Sequence, residues 1–123
     1  MNKGRKITGG KYHSNKKKKF YEKQGQENIV TIGEPKTKKI KTRGGKVKTI
    51  LLQTNIANIK SSDPKIPVQK AEIKNVLETP QNTFLARQNR LSKGSIIETS
   101  LGRARITNRP SQEGSVNAVL LKE

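Results

Sequence analysis

Leucine, isoleucine, valine and phenylalanine are spread so unevenly along this 123-residue chain that their distribution decides where a core can form. Of 28 such residues, only Ile7 and Phe20 fall in residues 1–28, and the other 26 fall in residues 29–123. Ordering a chain costs about 1–2 kcal/mol per residue in backbone entropy, and buried apolar surface must offset it. The first segment has too little of that surface, so it is expected to be an intrinsically extended arm when alone. A boundary near residue 28 then divides the chain into an arm, 1–28, and a body, 29–123.

The apolar pattern of the body has period two rather than 3.6. Asn28–Ile32 is β-branched and stops at Gly33. Lys39–Arg43 and Lys46–Leu51 flank Gly44-Gly45, which reads as a hairpin with a two-residue turn. Thr54–Ile59, Lys70–Leu77, Ser95–Ser100, Arg103–Thr107 and Ser115–Leu121 complete the strand candidates. Seven or eight short strands with turn residues between them predict an all-β fold, a small closed or curled barrel. One segment departs from this pattern. Asn82 or Thr83 can cap a short helix running to about Arg90 or Leu91, with Gly94 as its stop. On it Phe84, Leu85 and Leu91 are expected to seat the helix, with Arg87 and Arg90 facing out.

Charge follows the opposite gradient. The formal net charge is +18, with 27 Lys and Arg against nine acids. Sixteen of those cations and three of those acids lie in residues 1–50, which makes that part +13 and the remainder +5. The apolar fraction is only 29 %. The arm holds Lys3, Arg5, Lys6, Lys11 and the run Lys16, Lys17, Lys18 and Lys19, with Tyr12, Phe20 and Tyr21 among them. Aromatics beside such a run can stack on bases once a polyanion is present. In the hairpin, a two-residue turn would place Arg43 opposite Lys46 and Lys41 opposite Lys48. Lys39, Lys41, Arg43, Lys46 and Lys48 would then share one face. Like charges directly opposed are destabilising. A surface that grips phosphates has reason to carry them, because each neutralised phosphate releases a counterion. On Arg103–Thr107, Ala104 and Ile106 are expected to point inward and Arg103 and Arg105 outward. Gly9-Gly10 and Gly44-Gly45 read as turn glycines that also allow close backbone approach to a ligand.

Signals for chemistry are poor. His13 is the single histidine, it lies in the arm, and it reads as a polar contact. No glycine-rich loop has a phosphate-binding spacing. Asp63, Glu72, Glu78, Glu98, Glu113 and Glu123 are scattered. No catalytic residue, metal set or cofactor is therefore expected, and no small-molecule substrate. There are no cysteines, which removes disulfides and thiol catalysis and fits a reducing cytosol. No run reaches the roughly 18–20 apolar residues of a membrane helix, and no apolar segment follows the basic Met1–Lys6 to make a secretory signal. Composition alone says polyanion. Helix-turn-helix, zinc-finger and zipper patterns are missing, and Phe84 is the only aromatic of the body. A basic arm and a basic β surface without stacking aromatics favour folded RNA, read by shape and phosphate geometry. An architectural DNA-binding protein of chromatin type and a small RNA-processing enzyme are the competing readings, the latter short of catalytic groups.

Several stretches, taken in order, resemble one family. They are Arg5-Lys6-Ile7-Thr8-Gly9-Gly10 with the Lys16–Lys19 run, Arg43-Gly44-Gly45-Lys46-Val47-Lys48, Asn55-Ile56-Ala57-Asn58 and Ile73-Lys74-Asn75-Val76. From Pro80 onward come Ala86-Arg87-Gln88-Asn89, Lys93-Gly94-Ser95-Ile96-Ile97-Glu98-Thr99, Gly102-Arg103-Ala104-Arg105-Ile106-Thr107, Arg109-Pro110 and Gly114-Ser115-Val116-Asn117-Ala118-Val119-Leu120. The chain resembles the archaeal and eukaryotic "eight-e" proteins of the small ribosomal subunit, in the short archaeal form. Ser111-Gln112-Glu113 departs from the Gly and Asp expected before Gly114, and Thr79 stands where an Asn is expected before Pro80. Many expected arginines are lysines, which gives fewer bidentate phosphate contacts. The resemblance implies a cytoplasmic, non-enzymatic ribosomal protein with a β-barrel body and extensions in ribosomal RNA. Its implied partners are small-subunit ribosomal RNA and neighbouring ribosomal proteins. The RNA contacts expected are Lys3, Arg5, Lys6, Lys11, Lys16 to Lys19, Lys39, Lys41, Arg43, Lys46, Lys48, Arg87, Arg90, Arg103 and Arg105, with Gly9, Gly10, Gly44 and Gly45 shaping the backbone.

Overall fold

The computed structural model describes residues 4–13, 17–23, 25, 27–61 and 66–121. Within them the chain forms a two-residue strand β1 (Thr31–Ile32), then β2 (Lys36–Lys41), β3 (Val47–Thr54), β4 (Ile56–Lys60) and β5 (Gln69–Glu78). A short helix α1 (Thr83–Arg87) precedes β6 (Ile96–Thr99), β7 (Gly102–Ile106) and β8 (Asn117–Leu120). Strands β4 to β8 close into a barrel, while β1, β3 and β2 form a separate three-stranded sheet in that order. The expected small all-β barrel with one short helix is the observed fold.

Closure follows from the number of strands. Each consecutive pair from β4 to β8 is antiparallel. A meander of five strands that reverses at every step leaves its first and last strands pointing the same way. Strand β4 therefore pairs with β8 in parallel, with Asn58 opposite Asn117 and Ile59 opposite Ala118. The Asn58 amide donates to Asn117 Oδ1 at 3.1 Å across this seam.

So few strands enclose little volume, and the interior must be filled by side chains that fit the taper. Alanine and isoleucine alternate two residues apart on three strands: Ala57 and Ile59, Ala71 and Ile73, Ala104 and Ile106, all at most 4 % exposed. Across two seams the small residue meets the large one, Ile97 with Ala104 and Ile106 with Ala118, while between β4 and β5 Ala57 meets Ala71. Strict alternation fails twice on β5, at Lys74 and again at Leu77, where the register passes from Val76–Ile97 to Glu78–Ile96. At the first, the register passes from Ile73–Thr99 to Asn75–Glu98, so Lys74 has no opposite residue. This bulge lets Ile73 and Val76, three apart, both point inward, and it adds the local bend that a closing strand needs.

Val30, Leu51 and Leu91 join the same apolar cluster from outside the barrel strands. They are held by backbone bonds: Leu91 N–H donates to the Val30 carbonyl at 2.9 Å, and Leu51 N–H donates to the Glu113 carbonyl at 3.1 Å. Strands β3 and β4 are separated by Asn55 alone. There the Thr54 hydroxyl accepts from Ile56 N–H at 3.1 Å and donates to the Ile56 carbonyl at 3.2 Å.

Helix α1 is capped as expected, with Asn82 Oδ1 accepting from Phe84 N–H at 3.0 Å. It ends at Arg87, earlier than the expected Arg90 or Leu91. The reason is Asn89, which takes a left-handed conformation at φ 51°, a conformation that asparagine accepts after a helix end.

Two interior substitutions should behave oppositely in urea unfolding. Ile97 is fully buried at the centre of the barrel, so Ile97→Ala should lose about 2–5 kcal/mol. The Thr79 hydroxyl is buried without a hydrogen-bond partner among the described residues. Thr79→Val should therefore be neutral or stabilising by up to about 1 kcal/mol, and a clear loss would show that the hydroxyl is bonded in solution.

Candidate nucleic-acid interface

The described part of the arm includes a small hairpin. Arg5 and Lys11 face each other in an antiparallel bridge. Lys6 N–H donates to the Gly10 carbonyl and Gly9 N–H to the Lys6 carbonyl, both at 2.9 Å. Ile7, Thr8 and Gly9 make a three-residue loop, and Gly9 takes φ 80° at the position where such loops prefer glycine. The Arg5 guanidinium donates back to the Gly9 carbonyl at 3.0 Å. Lys17, Lys18 and Lys19 are exposed, as is every described residue from 4 to 27. The expected contacts Lys3 and Lys16 lie outside the described residues.

The second cationic element is the β2–β3 ribbon, and here the expected register is corrected. The observed pairs are Lys39 with Thr49, Ile40 with Lys48 and Lys41 with Val47. Lys41 does not oppose Lys48, and the five cations do not share a face. The cause is the turn. Thr42 N–H and the Thr42 hydroxyl both donate to the Lys46 carbonyl, at 2.8 and 2.9 Å. The loop therefore has three residues, Arg43, Gly44 and Gly45, with the two glycines at φ 83° and 75°. A shift of one residue turns every side chain of one strand to the other face. Lys39 and Lys41 now lie with Val47 and Thr49, while Lys48 lies on the reverse side. The Lys48 ammonium donates to Gln112 Oε1 at 2.8 Å, so the body's own loop holds it.

Strand β2 nevertheless carries Lys36, Lys38, Lys39 and Lys41, all exposed, on the outer edge of its sheet. Lys36 and Lys38 were missed by sequence reasoning, because the strand was expected to begin at Lys39, whereas β2 begins at Lys36. The observed ribbon is cationic on both sides and along its edge.

The barrel wall differs in character. Arg103 and Arg105 point outward and Ala104 and Ile106 inward, as expected. Glu98 stands opposite Arg103 in the β6–β7 register, and Glu72 and Glu78 are also exposed on β5. This wall mixes signs. On α1, Phe84 does not seat the helix. It is 65 % exposed, with the Arg87 guanidinium 5.9 Å from its ring centre. Arg90 lies beyond the shortened helix, is half-buried and bridges Thr31. Leu85 and Ala86 are half-buried and Leu91 is fully buried, and these make the contact with the body.

All four aromatics of the chain are exposed: Tyr12, Phe20, Tyr21 and Phe84. Three of them lie within 6 Å of a cation, Lys6 over Tyr12, Lys19 over Tyr21 and Arg87 over Phe84. Such pairs present a flat apolar ring and a charge together, the combination that takes up a base and its phosphate. Among the described residues, no group of three His, Asp or Glu could hold a metal ion.

A Cβ built at Gly45 would meet no atom within 4 Å. Gly45→Ala should therefore cost only the strain of a left-handed backbone, about 1–2 kcal/mol in urea unfolding. Lys41→Gln, which breaks no like-charge pair across the ribbon, should change stability by less than about 0.5 kcal/mol.

Comparison with known proteins places the chain in a family. The sequence model of the family "Ribosomal protein S8e" matches residues 1–121. The chain is 45 % identical over 119 residues to small ribosomal subunit protein eS8 of Halorubrum lacusprofundi, covering 95 % of this chain and 93 % of that one. It is 43 % identical to the protein of the same name from Haloarcula marismortui, over 96 % and 94 % of the two chains. The protein of that name from Methanosarcina barkeri is 44 % identical, over 96 % and 94 %. With a match along nearly its whole length and relatives above 40 % identity over both chains, this protein belongs to the ribosomal protein S8e family.

Proposed function

We propose that the protein is a structural constituent of the small ribosomal subunit, binding folded ribosomal RNA and supporting subunit assembly and translation in the cytoplasm. The observation that carries this reading is family membership along residues 1–121, with relatives that are small-subunit proteins. The family is one of structural ribosomal proteins, not of enzymes.

The division of labour is between arm and body. Residues 1–28 act as the RNA-binding arm and 29–123 as the barrel body. The exposure of every described residue from 4 to 27, against burial of Val30 at 2 % exposure, supports that division. Arg5, Lys6, Lys11 and Lys16 to Lys19 neutralise phosphates along a groove, together with Lys3. Lys39, Lys41, Arg43 and Lys46 do so from the ribbon, and Lys36 and Lys38 join them. Arg87 presents Phe84 and its own charge from α1. The driving force is counterion release and charge-assisted contact, with the ordering of the arm opposing it. Arg103 and Arg105 act on a wall that also bears Glu98, which suits the border between RNA and a neighbouring protein.

Cosedimentation tests the reading directly. The protein should remain on small subunits after a salt wash, and its loss from washed subunits would overturn the proposal. In competition, a structured small-subunit RNA fragment should displace it better than random duplex DNA; equal affinity would favour an architectural DNA-binding role. Lys39→Gln with Lys41→Gln should flatten the salt dependence of RNA affinity by roughly 0.7–0.9 for each phosphate that β2 no longer neutralises. An unchanged slope would remove β2 from the interface.

A further inference from the structure

Between the arm and the barrel lies a cleft of about 110 Å³, with Glu27, Asn28, Arg90, Lys93, Arg109 and Ser111 on its walls. Three separate segments meet there: the end of the arm, the turn after α1 and the turn that follows β7. All three are pinned by backbone bonds. Leu91 N–H donates to Val30, and the Arg109 carbonyl accepts from both Gln112 and Glu113 N–H at 3.0 Å. Gln81 donates its amide to the Lys93 carbonyl.

We infer that this cleft is a binding site for a single backbone phosphate of RNA, held by Arg90, Lys93 and Arg109. The inference rests on the RNA-binding role proposed above and adds a site within it. Charge is the first argument. Three cations from two of these segments converge, and none of their side chains has a hydrogen bond or ion pair among the described residues. Arg90 is half-buried, and a partly desolvated charge without a counter-charge is costly until an anion arrives. Glu27 is the one acid on the walls, and it pairs with none of the three. Size is the second argument. The volume is well below the roughly 300–1,000 Å³ of a small-molecule pocket, and it suits a phosphate rather than a whole nucleotide. The lining is the third. It holds no aromatic side chain on which a base could stack, while Asn28 and Ser111 supply neutral hydrogen-bonding groups beside the cations. Because Glu27 and Asn28 are where the arm leaves the body, a phosphate seated here fixes the direction in which the arm departs.

The test uses the full chain and a structured small-subunit ribosomal RNA fragment. The variant Arg90→Gln/Lys93→Gln/Arg109→Gln is compared with Lys60→Gln/Lys70→Gln/Lys74→Gln, which removes the same charge from exposed positions on β4 and β5 outside the cleft. The cleft variant should bind roughly tenfold or more weakly than this control, the scale of one charge-assisted contact. Its salt slope should be flatter by about 0.7–0.9. Equal affinity and slope in the two variants would overturn the site while leaving RNA binding intact. A wild-type chain that fails to bind the RNA would overturn the parent reading, and the site with it. Should the triple variant not fold, two single changes serve. Lys93→Gln should weaken binding and Glu27→Gln should tighten it, and no effect from either would overturn the site.

Discussion

Closing a barrel with five strands fixes what the rest of this chain can be. Its buried apolar residues are alanine, valine, isoleucine and leucine, and no aromatic ring is among them. Aromatic side chains usually dominate small cores because each buries a large area; here all four stand outside. The barrel is therefore built almost wholly from aliphatic side chains of moderate size, over a meander whose ends must meet in parallel. The charge of +18 has no place inside it. Cations and rings alike are displaced to the arm, the ribbon, the outer wall and the turns.

The inward and outward sorting of β7 was legible in the sequence because one buried face and one exposed face alternate cleanly at Gly102–Ile106. Most of the strands were legible for the same reason. What escaped was phase. At Lys74 a bulge shifts the alternation by one, and nothing in Lys70–Leu77 marks it beyond the irregular spacing of Ile73 and Val76. At Gly44-Gly45 two adjacent glycines look like a complete two-residue turn, yet the loop takes in Arg43 as well. Asn89 was a readable stop for α1, overlooked in favour of Gly94. The cleft beside Arg90 was hidden for a different reason: its walls run from Glu27 to Ser111, and single-sequence patterns carry no such distance.

The corrected ribbon changes the meaning of its lysines. With no like pair directly opposed, the ribbon does not store cross-strand repulsion. Its four β2 lysines instead line an unpaired strand edge, where charge discourages pairing with another chain. The same residues can protect the free protein from self-association and meet phosphates once RNA is present.

The junction between β3 and β4 has a mechanical consequence. Only Asn55 separates the two strands, and the Thr54 hydroxyl clamps the residue beyond it. The ribbon and the barrel thus share one nearly uninterrupted length of chain, from Val47 to Lys60. The loop over residues 109–114 braces it from the side through Leu51 and Lys48. A tether of flexible residues would let the ribbon swing freely; this junction makes it a lever. Torque applied at the Arg43–Gly45 tip is passed to the barrel wall rather than absorbed, so whatever grips the tip also sets which side of the barrel is turned outward.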